Sequence, residues 1–234
     1  LGEGFDLHCG GADLRFPHHE NERAQAVALG KQFAAHWMHN GFVVDAEGEK
    51  MSKSLGNVAN LLDLVDKHDP RAYRMLLLQT HYRSPVRVGQ DNIDAAVKAL
   101  AGVDAFFGRI DTDGVSARAD VIDAFRAAMD NDLDTPAATA LMFDTMRRAN
   151  AAADAGNSIE AAELAAAVRE ICAAFGLPIN DLGDVDADAA GKAAELDAAR
   201  AAKDFARADT LRAELQAAGY VVETTKDGTR VRRG

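Results

Sequence analysis

Aromatic side chains are scarce in this sequence: they make up 6% of 234 residues, with three Tyr and one Trp among them. Cores built from sheets draw on aromatic and β-branched residues, whereas alanine, which dominates the second half here, is the best helix former. The shortage argues for closely packed helices. Cysteine is as sparse, with Cys9 and Cys172 far apart and no framework around them. That pattern excludes a disulfide-stapled scaffold and fits a reducing compartment. Cys172, on the apolar face of a helical stretch, reads as core packing. No uninterrupted apolar run reaches the roughly 18 residues that a membrane-spanning helix needs, and no secretory leader is recognisable. An excess of positive charge is also missing. The formal net charge of -11 argues against RNA binding along the whole surface, yet residues 192–234 carry nine Lys and Arg against seven Asp and Glu. That tail is the more credible face for a polyanion.

With 234 residues and 48% hydrophobic content, the chain can bury sizeable cores and holds more than one domain. Its most specific string is Glu49-Lys50-Met51-Ser52-Lys53-Ser54-Leu55-Gly56-Asn57. Two lysines three apart, with hydroxyls beside them and a Gly-Asn exit, make a loop able to bring two ammonium groups and several backbone donors to a polyphosphate. Such a loop can follow negative charge as it moves to a leaving pyrophosphate. A lone Lys-x-x-Lys pair is usually two solvated charges; the full string is much rarer.

Upstream, the stretch from Phe5 to Glu22 reads as a short apolar strand, a Gly-Gly turn at Gly10-Gly11, and a helix entered at Pro17, whose missing N–H costs nothing at a first helical position. Residues 20–29 continue the helix and Gly30 is its stop. His18 and Glu22 are four apart there, so both lie on one face within reach of a single ion, and imidazole and carboxylate are both zinc ligands. The usual fate of a His-x-x-x-Glu on a helix is simpler: the two pair with each other or with water.

The lysine string resembles the KMSKS signature of class I aminoacyl-tRNA synthetases at all five positions, and the Phe-Pro-His-His-Glu-Asn-Glu string over 16–22 makes the chain similar to the cysteinyl-tRNA synthetase family. The resemblance implies that His18 and Glu22 are two of four ligands to a Zn2+ ion that takes the thiolate of the substrate cysteine. A soft thiolate binds zinc far better than a hydroxyl does, so the metal separates cysteine from serine. It implies further that His8 lies beside the amino acid and that Gly11 and Asp13 meet the nucleoside. Backbone groups at Val43 and Val44 would press on the adenine, and Lys50, Ser52 and Lys53 would serve the phosphates of ATP, bound with Mg2+. Cys9 stands where the family commonly has glycine and is not read as a ligand. The family's HIGH signature and both zinc-ligating cysteines belong to segments upstream of the stretch seen here. The expectation is therefore the C-terminal portion of a longer enzyme, with weak metal binding and no catalysis by these residues alone.

Further along, residues 31–45 are expected to hold a buried strand leading to the lysine loop. Residues 61–80 read as helical, interrupted at Asp69-Pro70. The stretch Thr80-His81-Tyr82-Arg83-Ser84-Pro85 reads as a polar aromatic turn and is similar to the family's junction between catalytic domain and bundle. Four amphipathic stretches follow: 93–110, 121–129, a third opened by Asp134-Thr135-Pro136, and a fourth capped by Ser158 and closed by Gly176 and Pro178. They predict four antiparallel helices in a bundle. Residues 182–191 read as a linker and 196–215 as two short helices or one bent one. A hairpin with strands over 220–224 and 230–233 turns at Lys226-Asp227-Gly228-Thr229. This tail resembles the anticodon-reading domain of bacterial members, with Arg230, Arg232 and Arg233 as candidates for contact with tRNA.

The expected fold class is mainly α with an α/β part. It comprises the C-terminal half of a Rossmann-like catalytic domain over 1–65, a connecting stem-contact segment over 66–90, an antiparallel helical bundle on the anticodon-stem side over 91–181, and a small α+β anticodon-binding domain over 192–234. The function that the resemblance implies is ATP-dependent activation of L-cysteine to cysteinyl-adenylate and transfer to tRNA(Cys), in the cytoplasm and by a monomer. Two rivals are the cysteine ligase of mycothiol biosynthesis, which shares the glycine turn, histidine pair and lysine loop, and a non-enzymatic tRNA-binding module. Glu22 and the basic tail after residue 190 count against the first.

Overall fold

A computed structural model of the chain describes residues 2–45, 47–49, 51, 68–179, 187–225 and 228–233. They fall into two compact units, Leu1–Gly102 with Thr112–Pro178, and Val103–Asp111 with Ile179–Gly234.

In the first unit, β1 (Leu7–Gly11) and β2 (His36–Asn40) pair in parallel, with His8 beside Trp37 and Gly10 beside His39. The helix α1 (Glu20–Ala28) joins them. Gly10-Gly11 is strand and not the turn the sequence suggested. The chain turns afterwards, through a 3-10 turn at Ala12–Leu14 and a kinked turn at Arg15–His19 in which Phe16 is extended. Pro17 follows a cis peptide bond and lies three residues ahead of α1 instead of opening it. The expected stop is present. Gly30 takes φ +71°, its N–H donates to the Val27 carbonyl, and the Lys31 N–H donates to the Ala26 carbonyl, the two bonds of a Schellman ending. The strand expected over 31–45 is β2, but it is only half-buried, with both ends exposed.

Past β2, β3 (Val43–Val44) pairs in parallel with β4 (Val86–Arg87). Gly41 is the point of closest approach to the neighbouring segment. Its N–H donates to the Tyr82 carbonyl at 2.7 Å, and a Cβ there would run into the Ser84 carbonyl. After β3, Asp45 N–H donates to the Glu49 carbonyl at 2.9 Å and Met51 N–H returns to the Val43 carbonyl at 3.1 Å. Lys50, Ser52 and Lys53, and the helical stretch expected from residue 61 to 67, lie outside the described residues.

The helix α2 (Pro70–Leu78) starts at the predicted signal: Asp69 accepts from the Arg71 N–H at 2.9 Å and Pro70 fills the first position. Arg71 also donates to the Pro178 carbonyl at 2.8 Å, and the Thr139 hydroxyl donates to the Leu78 carbonyl at 3.4 Å, tying α2 to the helices that follow. These are α3 (Gln90–Phe107), α4 (Ala119–Asp130), α5 (Thr135–Asp154) and α6 (Ser158–Ala174). The last three pack on one another around Met142, Leu164, Val168, Ile171 and Cys172, all fully buried. Each aliphatic side chain of that size contributes about 1.5–3 kcal/mol by leaving water. Buried alanines at 138, 149, 161 and 165 keep the helices close. Asp134 caps α5 as expected, accepting from the Ala137 N–H at 3.0 Å. On α6 the cap sits one residue earlier than expected. Asn157 accepts from the Glu160 N–H at 3.3 Å, and Ser158 is the first helical residue.

The second unit carries α7 (Ala187–Ala201), α8 (Phe205–Ala217) and an antiparallel hairpin of β5 (Tyr220–Thr225) and β6 (Gly228–Arg233). Residues 187–191, read from the sequence as linker, begin α7, since alanine carries a helix through the single glycine at 191. The core is Ala189, Leu196, Leu211, Leu215, Tyr220 and Val222, with Val231 against it. The hairpin is tighter than expected: Gly228 and Thr229 belong to β6, and Thr225 pairs with Gly228. Asp197 on α7 accepts from the Thr229 N–H at 2.8 Å and its hydroxyl at 2.6 Å, and these bonds hold its carboxyl below the usual range. Among the described residues no helix is long and apolar enough to cross a membrane.

Candidate functional site

Strand alternation puts His8 and Gly10 of β1 on the same face as Trp37 and His39 of β2. His19, delivered by the turn before α1, lies on this floor. A Cβ at Gly10 would stand 2.7 Å from its Cε1 and 2.9 Å from its Nε2, so glycine makes the room for the ring. The imidazole of His19 is buried, meets the rings of His8 at 4.6 Å and Trp37 at 5.3 Å, and shares a hydrogen bond of 2.9 Å between its Nδ1 and His39 Nε2. Desolvation, then the neighbouring His8 and His39, lower its pKa, so the ring is held neutral. Nδ1 is engaged by His39, and Nε2 lies over Gly10.

Glu22, on the first turns of α1, closes the cluster. Its Oε2 is 3.0 Å from His8 Nε2 and its Oε1 is 3.4 Å from His18 Nε2. Oε2 is enclosed and, among the described residues, accepts no hydrogen bond of good geometry, the His8 contact being one of distance alone. Ligand atoms of His8, His19 and Glu22 all lie within 4.8 Å of one another. The predicted pair of His18 and Glu22 does come into ion-pair range, His18 from the turn before α1 and Glu22 from the helix, but the structure gathers His8 and His19 around the carboxylate as well. His18 is the most exposed of the three residues in ion-pair range, with 59% of its side chain open against 24% for His8 and 33% for Glu22.

The other predicted residues are placed as follows. Gly11 ends β1, and Asp13 folds back over it so closely that a Cβ on Gly11 would meet Asp13 Oδ1 at 2.5 Å. The Val43 carbonyl accepts from Met51 N–H and that of Val44 from Val88 N–H at 2.9 Å. The Val43 side chain lines a cleft of about 410 Å³ with Met38, Tyr82 and Leu133. Arg230, Arg232 and Arg233 lie on β6, opposite Glu223, Val221 and Tyr220. Lys50, Ser52 and Lys53 are outside the described residues.

Sequence reasoning missed His19, His39, Trp37 and Asp132. The first three carried a signal, since Trp37 and His39 alternate on a strand and His19 adjoins a flagged histidine. Asp132 carried none. It sits between α4 and α5 with φ 57°, and Leu133 follows with φ 55°. Left-handed backbone at a non-glycine residue costs about 1–2 kcal/mol and needs something to hold it. Here Arg83 donates from Nε to Oδ2 at 2.6 Å and from a terminal nitrogen to Oδ1 at 2.9 Å. The Tyr82 hydroxyl donates to Oδ1 at 2.7 Å, and His81 Nε2 meets the Asp132 carbonyl at 3.1 Å. Arg83 and then Tyr82 pull the carboxyl down to about 2, so it stays ionised throughout the neutral range.

Family models cover most of the chain. Residues 1–98 match the class I (C) tRNA synthetase catalytic domain, 124–180 the DALR domain, and 187–232 the cysteinyl-tRNA ligase anticodon binding domain. The cysteine–tRNA ligase of Halorhodospira halophila is 43% identical over 100% of this chain and 52% of its own length, and that of Cutibacterium acnes is 38% identical over 97% and 51%. The chain belongs to the cysteine–tRNA ligase family. It spans about half the length of the curated relatives it matches. Among solved structures, the agnB2 LeuRS of Agrobacterium radiobacter K84, in a ternary complex with tRNA and LeuAMS, is similar with a TM-score of 0.58 and 22% identity over 73% of this chain and 25% of that one. The methionyl-tRNA synthetase of Mycobacterium tuberculosis, bound by methionyl-adenylate, gives a TM-score of 0.53 and 19% identity over 80% and 43%. At those identities the likeness shows fold alone, and it agrees with the mainly helical class with small sheets. Within this family assignment, the catalytic-domain match takes in the whole histidine floor and β3–β4, and the anticodon-binding match takes in α7 through most of β6.

Proposed function

We propose that the protein carrying this chain activates L-cysteine with ATP, forming cysteinyl-adenylate and pyrophosphate, and transfers the cysteinyl group to tRNA(Cys). The environment of Glu22 carries the reading. An enclosed carboxylate oxygen that His8 Nε2 approaches at 3.0 Å without hydrogen-bond geometry is costly, and a divalent cation is the partner that suits an imidazole and carboxylate donor set. We assign His18 and Glu22 to a Zn2+ ion, with His8 beside the amino acid. When bound, zinc takes up the substrate thiolate and so favours cysteine over serine. The gathering of His8, His19 and Glu22 supports a second assignment, in which His8 joins Glu22 on the metal and His18 faces solvent.

Around that centre the chain's own residues bind and orient. Asp13, folded over Gly11 at the end of β1, is assigned as an acceptor for ribose hydroxyls, a role that carboxylates near strand ends take in α/β folds. Backbone at Val43 and Val44 lies against the adenine. Lys50, Ser52 and Lys53 bind the phosphates of ATP with Mg2+. The two ammonium groups neutralise charge as a cysteine carboxylate oxygen attacks the α-phosphorus and pyrophosphate leaves. Arg230, Arg232 and Arg233 serve tRNA binding, where cationic side chains meet phosphates or stack on bases. The reading includes a cytoplasmic, monomeric enzyme.

The test uses the complete protein and compares zinc content with cysteine-dependent ATP–pyrophosphate exchange. In the first assignment His18→Ala loses zinc, whereas His8→Ala keeps it and slows exchange. The reverse pattern selects the second assignment. A parent protein without cysteine-dependent exchange rejects the reading.

A further inference from the structure

The loop between α4 and α5 holds two successive non-glycine residues in left-handed backbone, an arrangement that persists only where surroundings over-determine it. The surroundings are three consecutive side chains, His81, Tyr82 and Arg83, converging on Asp132 from 49 to 51 residues away. The bidentate guanidinium fixes angle as well as distance, Arg83 is further seated over the Tyr82 ring at 5.0 Å, and His81 stacks on the same ring at 4.9 Å.

The segment that Asp132 anchors is also the template for β3. The Tyr82 carbonyl receives the Gly41 N–H, and the Ser84 carbonyl packs so tightly on Gly41 that no side chain fits there. Two residues later Val86 N–H donates to the Phe42 carbonyl at 2.8 Å and Val88 N–H to the Val44 carbonyl at 2.9 Å. On the side-chain level, Leu133 and Val43 line one cleft with Tyr82. Asp132 is thus connected through short, directional contacts to the strand that leads toward Lys50 and Lys53, while lying on the helical bundle.

We propose that Asp132 is a positioning residue for adenylate formation: it locks the 81–84 segment to the bundle and thereby sets where β3 presents its backbone to the nucleotide. This rests on the ligase reading above. Asp132 touches neither substrate and acts through β3, so its loss lowers turnover and weakens the hold on ATP while leaving cysteine affinity nearly intact. A displaced reacting geometry of about 1 Å is enough to cost up to a hundredfold in rate.

The experiment measures cysteine-dependent ATP–pyrophosphate exchange in the complete protein carrying Asp132→Asn, Arg83→Lys, or both, with rates expressed per active site titrated by the adenylate burst. Asp132→Asn is expected to lower kcat about tenfold and to raise KM for ATP, with KM for cysteine within about twofold of the parent. Arg83→Lys, at an exposed side chain and with the charge kept, is expected to do the same without loss of folding. The double variant falls no further than the weaker single, because both changes break one contact. A parent-like kcat per titrated site in both single variants, or effects that multiply in the double, overturns the proposal. A parent with no cysteine-dependent exchange overturns the ligase reading and this inference together, whereas an active parent with indifferent variants overturns this inference alone.

Discussion

The core of α4–α6 and the histidine floor of β1–β2 are held together in opposite ways. In the bundle, Met142, Leu164, Val168, Ile171 and Cys172 are fully buried, and nearly every contact is apolar and non-directional. On the floor, His19 is the only fully buried member. His8, Trp37, His39 and Glu22 remain partly open, and the contacts are ring edges, ion-pair distances and a glycine-shaped gap. Helix α1, which carries Glu22, buries none of its own side chains: its Val27 is 58% exposed, and Phe16 and Leu29 beside it are 78% and 73% exposed. Stability in this unit therefore resides in the bundle. The floor trades burial for polar groups whose positions are set by sterics, as a ligand-binding surface must.

The largest expected effect comes from attacking the bundle. Ile171→Ala should destabilise the protein by about 2–5 kcal/mol, the range for truncating a fully buried aliphatic side chain that leaves a cavity. Val27→Ala, on α1, should change stability by less than about 0.5 kcal/mol. Urea unfolding followed by helical circular dichroism measures both. The contrast breaks if the two variants cost the same.

A substitution on the floor sharpens the difference further. Gly10→Ala places a methyl group inside van der Waals contact with His19, whose ring cannot retreat because His39 and Trp37 hold it. The expected cost is about 1–3 kcal/mol, the range for overpacking, together with weaker zinc binding by the complete protein. Gly191→Ala is the control. It sits inside α7 with nothing within 4 Å of an added Cβ, so it should stabilise by about 0.5–1 kcal/mol. Opposite signs at two glycines separate a steric role from a merely conformational one. Titrating zinc into both variants shows whether the floor, and not the fold as a whole, has moved.

What the sequence revealed follows the same divide. The Asp69 and Asp134 caps, the Gly30 stop, the His18–Glu22 spacing and the Asp-Gly hairpin all obey rules that link residues within about four positions. Each of these features was legible without knowledge of the fold. His19 and His39 meet only because β1 and β2 pair in one register, and Gly10 is required only because His19 returns over it. Asp132 is about 50 residues from its partners, and although the polar aromatic turn over 80–85 stood out, nothing in the local composition marks Asp132 itself. Pro17 misled for a related reason: a proline near a helix start is usually its first residue, but here the chain turns twice before α1 begins. The α7 boundary was lost to composition, since Asp, Ala and a single Gly read equally well as linker or as a first helical turn.

The smallest expected effect tests how finely such local rules discriminate. Asn157 and Ser158 are both good capping residues, and the sequence alone favoured the serine. In the structure Asn157 Oδ1 accepts from the Glu160 N–H, its side-chain amide donates to Glu160 Oε2 at 2.8 Å, and the helix begins at Ser158. The bonds form a reciprocal cap: the asparagine satisfies an orphan backbone donor, and the glutamate at the third helical position returns to the cap residue. Asn157→Ala should cost about 1 kcal/mol, whereas Ser158→Ala, inside the first turn, should change stability by only a few tenths and in the favourable direction. Thermal unfolding of the two variants side by side decides between them. A larger loss at Ser158 would move the start of α6 by one residue and make the serine its cap.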